Sequence, residues 1–144
     1  MFKRLSLILV VLFSTVLISA CSASEKAHAD MKMAPVSSLP QEMQSAPTTV
    51  RESYQFAVAN PGPLENVPCY CGCGSIGHTS NLDCFVQEFG SDGKVLAFDD
   101  HALGCSLCID IAQDVMKMTR EGKSPTDIRQ AVLDAYSKFG PANQ

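Results

Sequence analysis

The chain has 144 residues, 46% of them hydrophobic and 18% charged, with a formal net charge of −4 and no tryptophan. That length allows one small domain with a core of modest size, which crosslinks of some kind would help to stabilise. The acidic balance and the lack of a basic patch argue against nucleic acid or anionic headgroups as partners.

The N-terminus reads as a signal peptide over residues 1–20. Lys3 and Arg4 supply its charged start, and residues 5–18 form an apolar run broken only by Ser6, Ser14 and Thr15. That run is too short to be a membrane-spanning helix. It closes on Leu17, Ile18, Ser19, Ala20 and Cys21, which resembles a bacterial lipobox. In such signals the cut falls before the cysteine, whose sulfur receives a diacylglyceryl group. The expectation is an exported lipoprotein tethered through Cys21 to the extracytoplasmic face of a bacterial membrane. Ordinary secretory cleavage near Ala20 is the alternative. Losing Lys3 and Arg4 would move the net charge from −4 to −6.

Residues 21–47 are rich in Ser, Ala, Pro, Met and Gln without a sustained apolar period, and read as a lipid-anchored flexible linker. Within it, His28, Met31 and Met33 are donors a soft metal would accept, though chance residues in a tether explain them better. The folded domain is expected over residues 48–144. Val50, Tyr54, Ala57 and Val58 recur at helical spacing behind Thr48 or Thr49 as cap, and Pro61 stops that helix. Residues 68–83 hold Gly72, Gly74 and Gly77 with no apolar period, and read as a loop whose glycines let the backbone turn where a Cβ would collide. Two extended pieces, residues 85–89 and 95–98, flank Gly90 and Gly93 as a short β-hairpin. From residue 104 to 121 the pattern is helical, with Cys105, Cys108, Ala112 and Val115 on one side. Ser124 and Pro125 open a last helix with a stripe of Ile128, Val132, Ala135, Tyr136 and Phe139. The fold class is therefore mainly α: three to four helices around a Cys/Gly-rich loop, with a small hairpin.

Seven cysteines are present, and setting Cys21 aside leaves six between residues 69 and 108. They are Cys69, Cys71, Cys73, Cys84, Cys105 and Cys108, with His78 and His101 among them. Thiolates and imidazoles so close together can wrap a metal, form disulfides or exchange electrons. Cysteines one residue apart make strained disulfides with each other but suit a metal that accepts several thiolates. Cys105 and Cys108 at a helix start put both sulfurs on one face, where the dipole favours thiolate. His101 can close on the same point. The excess of thiol over imidazole and the extracytoplasmic address point to copper(I) first and zinc second. Haem attachment is disfavoured because Ile109 stands where a histidine is needed after Cys108.

Two other classes stay open. Six cysteines in an exported domain also suit a disulfide-stapled interaction module, and a Cys-x-x-Cys at a helix start also suits a thiol–disulfide oxidoreductase. No further nucleophile–base pair and no phosphate-cradling loop is visible, so binding is expected in place of catalysis.

Residues 68–73 read PCYCGC, which is the signature of the bacterial PCYCGC-motif lipoproteins. The chain resembles that family from about residue 54 to 136, including Gly77, His78, Asn81, Cys84, Phe85, His101, Cys105 and Cys108. The resemblance implies an exported Cys-rich domain associated with metal. The expected site gathers Cys69, Cys71, Cys73, Cys84, Cys105 and Cys108 with His101 and His78, and sequesters the ion or hands it to a metal transporter or chaperone.

Overall fold

The structure is a computed structural model that describes residues 31–143. The expected signal peptide, Cys21 and His28 lie outside the described residues.

The domain is mainly helical, as the periodicity predicts. Three helices exceed ten residues: α2 (Thr48–Ala59), α4 (Ser106–Arg120) and α5 (Pro125–Tyr136), while α1 (Gln41–Gln44) and α3 (Pro61–Glu65) are short. An antiparallel hairpin of β1 (Val86–Phe89) and β2 (Val95–Phe98) sits between α3 and α4 in the chain.

The core forms where α2 packs on α4 and α4 on α5. From α2 it takes Tyr54, Phe56 and Ala57; from α4, Cys108, Ile111, Ala112 and Val115; from α5, Ile128, Val132 and Tyr136. Each large side chain buried there contributes about 1.5–3 kcal/mol of transfer free energy. Polar crosslinks fix the register: Gln113 donates to the Thr49 carbonyl and to Ser53 Oγ, and Tyr136 donates to Asp114 at 2.7 Å.

Local chemistry sets the helix ends. Ser124 Oγ accepts the Asp127 N–H and donates to the Asp127 carboxylate, with Pro125 at the first helical position. α4 closes in a Schellman turn, Lys123 N–H donating to the Met118 carbonyl and Gly122 N–H to Thr119. α2 differs from expectation: Pro47 occupies the cap and no side chain caps it. In the last helix Ala135 is exposed, and Phe139 lies outside α5 with 56% of its surface exposed, so the buried stripe is narrower than the sequence suggests.

The expected linker is partly built into the domain. Ala34 exchanges hydrogen bonds with Gln55, and Leu39 and Met43 are only 4% and 1% exposed. Met31 and Met33 pack against the same core. The folded part thus begins well before Thr48. Its apolar residues are scattered because proline turns and a single helical turn present them one at a time, which leaves no period to read.

Candidate metal centre

Three elements bring the cysteines together. Val67 and Pro68 are buried and anchor the motif, and Gly72 (φ 84°) and Gly77 (φ 95°) bracket a 3₁₀ turn at Cys73–Ile76. A Cβ at Gly72 or Gly77 would meet no atom within 4 Å, so dihedral freedom selects these glycines, not the expected collision. Gly74 does have a close neighbour, the Asn143 Cβ, at 3.3 Å from where its own Cβ would lie. Asp83 then ties the next loop, accepting the Thr79 and Ser80 backbone N–H groups and the Thr79 hydroxyl. That tie holds His78 over Cys84. The hairpin delivers Asp99 and the His101 turn, and the start of α4 brings Cys105 and Cys108.

Cys69 Sγ lies 3.4 Å from both Cys71 Sγ and Cys108 Sγ, and Cys71 lies 3.6 Å from Cys108. Cys73 and Cys84 are 3.8 Å apart. A disulfide needs about 2.05 Å, and the six cysteines among the described residues are all free thiols. The edge of a tetrahedron of sulfurs around an ion at about 2.3 Å is about 3.8 Å, close to these separations. His101 Nε2 stands 3.4 Å from Cys71 Sγ, and His78 Nδ1 stands 3.5 Å from Cys84 Sγ. Two sets of four donors each lie within 4.8 Å of one another: Cys69, Cys71, Cys73 and Cys84, and Cys71, His101, Cys105 and Cys108. Cysteine and histidine groups so placed could hold a metal ion.

The chain belongs to the PCYCGC family. The family model described as "Protein of unknown function with PCYCGC motif" matches residues 9–143. No curated protein and no solved structure matches the chain.

In this PCYCGC protein the motif supplies three of the seven donors in the two sets. His78 lies outside both sets but touches Cys84, and its Nε2 faces the Asp99 carboxylate at 3.3 Å. That pairing orients an imidazole as metal ligands are commonly oriented. The other Asp99 oxygen accepts the His101 backbone N–H at 2.9 Å, and its carbonyl accepts the Tyr54 hydroxyl at 2.9 Å. One aspartate therefore positions both histidines.

Electrostatics favour one thiolate among thiols. Hydrogen bonding with Cys108, then Cys84, draws the Cys69 thiol far below its usual range, and the contact with Cys69 pushes Cys108 up. Burial pushes Cys71 and Cys73 up. The helix-start lowering expected at Cys108 is overridden by its thiol neighbours. Cys105 is the cap residue of α4, in extended conformation, not a member of the helix.

Asp99 and Asn143 are missing from the sequence-derived site. Asp99 carries a weak signal, two residues before His101 at a strand end. Asn143 carries none: its Nδ2 donates to Cys73 Sγ at 3.4 Å and to the Ser80 carbonyl at 3.3 Å from the far end of the chain. Asn81, completely buried, donates to the Cys108 carbonyl at 3.4 Å, while its Oδ1 has no partner among the described residues.

Proposed function

We propose that this protein binds a soft, thiophilic metal ion as cargo, copper(I) ahead of zinc, and holds or hands it on outside the cytoplasm. The observation that carries the reading is the gathering of six free thiols and His101 into two sets whose donor atoms lie within 4.8 Å of one another, with five of the sulfurs at separations of 3.4–3.8 Å. These distances suit ligands of a common ion and are too long for disulfides. A donor set of mostly thiolate favours copper(I), and the two imidazoles keep zinc as the second ion. The half-exposed Cys71 and Cys105 leave a path for exchange with a transporter or metal chaperone.

The lipobox-like residues before Cys21 support export and a lipid tether. No helix among the described residues is long and apolar enough to cross a membrane. The tether is checked by Cys21→Ser, which should move the protein from the membrane fraction to the soluble one.

The test of binding uses the full-length chain purified reduced and without oxygen. Copper(I) is titrated against a competing chelator, with zinc in parallel and free thiols counted. Tight binding with matching thiol protection, weakened by both Cys71→Ser and Cys105→Ser, is the expected result. A folded, fully reduced protein that binds neither ion would sink the reading in favour of disulfide or redox chemistry.

A further inference from the structure

Resting on that reading, we propose that the centre takes two metal ions bridged by the Cys71 thiolate, one in a closed compartment and one in an exchangeable compartment. The two donor sets have only Cys71 in common. An ion of tetrahedral preference uses four donors, so a single ion satisfies one set and leaves three donors of the other idle. Two ions sharing one thiolate use every member of both.

The sets differ in burial. In the first, Cys69, Cys73 and Cys84 are all buried and only Cys71 is half-exposed. Its donors are all sulfur. In the second, Cys71, His101 and Cys105 are all half-exposed, and one donor is nitrogen. A groove of about 420 Å³ opens beside Cys105, bordered by Val50, Leu103, Gly104 and Ile109. Cys105 is therefore the donor an incoming ligand reaches first. Cys69 and Cys108 meet at 3.4 Å along the seam between the sets, which keeps the two ions within one continuous sulfur shell.

Charge points the same way. Six thiolates carry six negative charges, and one ion offsets at most two of them, a single one if it is copper(I), in a mostly buried setting. A second ion offsets more of that charge within the same sulfur shell.

The test uses cadmium, a thiophilic ion with a spin-half isotope, on the full-length reduced chain. Native mass spectrometry should count two ions per chain. Cadmium NMR should give two signals, one shifted as all-sulfur and one as mixed sulfur–nitrogen, scalar-coupled to each other through the shared sulfur. Cys105→Ser, a near-isosteric change at a half-exposed position, should remove the mixed signal and the coupling while the all-sulfur signal remains. Cys84→Ser should disturb the all-sulfur signal first. For the wild type, a chelator should extract one ion at least tenfold faster than the other. One ion per chain, two uncoupled signals, or no cadmium from a protein that still binds copper(I) would each overturn the bridged pair and leave the cargo reading standing. Binding of no thiophilic ion at all would remove the cargo reading as well.

Discussion

Asn143 and Cys69 exchange two hydrogen bonds across 74 residues of chain: the Cys69 N–H donates to Asn143 Oδ1 at 2.7 Å, and the Asn143 backbone N–H donates to the Cys69 carbonyl at 3.1 Å. The same side chain donates to Cys73 Sγ. One residue thus pins the first and third cysteines of the motif.

Asn143→Ala should strand the Cys69 N–H and loosen the motif, while the backbone bond to the Cys69 carbonyl stays. We expect a loss of about 1–3 kcal/mol in stability, the usual cost of a buried hydrogen-bonding group left without its partner. Metal affinity should fall with it. Chemical denaturation and chelator competition measure the two; a variant with unchanged affinity would reduce Asn143 to a purely structural fastener.

Asp99→Ala should misplace both histidines at once. If the proposed ion binds, losing a carboxylate that orients a ligating imidazole typically costs about 10–100-fold in metal affinity. The expected result is a loss in that range with all six thiols still titratable. If His78→Ala and Asp99→Ala together lose no more than either alone, the carboxylate acts through that imidazole.

Tyr54→Phe removes the hydroxyl that donates to the Asp99 carbonyl, while keeping the edge-on contact with Phe85 at 5.0 Å between centroids. Stability should drop by about 1–3 kcal/mol for the stranded carbonyl. Phe85→Ala, which empties a fully buried site, should cost more, about 3–5 kcal/mol. A Tyr54→Phe variant that melts with the wild type would show that the hydroxyl carries no separate weight.

The metal-free protein should be most stable near the ordinary thiol range, about pH 8.5. Below it, Cys69 is already ionised in the fold while the unfolded chain still holds that proton, so stability rises with pH. Above it, unfolded thiols lose protons that Cys71, Cys73 and Cys108 retain, so stability falls. The proposed metal would have to displace those retained protons, so its apparent affinity should weaken as pH drops. Urea melts on both sides of this range, with and without metal, test the dome; a profile rising steadily to alkaline pH would contradict it.

Much of the fold is legible from residue pattern because α2, α4 and α5 each bury a stripe at helical spacing, and Ser124, Pro125 and Gly122 mark their ends. The hairpin is legible from its Gly-flanked turn. Residues 34–47 are not, since Ala34, Leu39 and Met43 dock singly against partners far along the chain. In the centre, residue type and spacing name the cysteines and histidines. They point only weakly to Asp99, two residues before His101, and not at all to Asn143, whose work depends on tertiary placement alone. Pattern also misleads at Cys108, where a helix start suggests an acidic thiol and the neighbouring sulfurs impose the opposite.

The clasp by Asn143 has a consequence for timing. During synthesis the cysteine loop emerges first, then the hairpin, then α4, and the residue that secures the loop comes well after the last donor. A growing chain therefore displays reactive sulfurs before it can lock them into place. If the proposed ion is the cargo, loading ahead of that lock would meet a loose, readily oxidised set of thiols, and delivery after residue 143 has emerged would meet a fixed one.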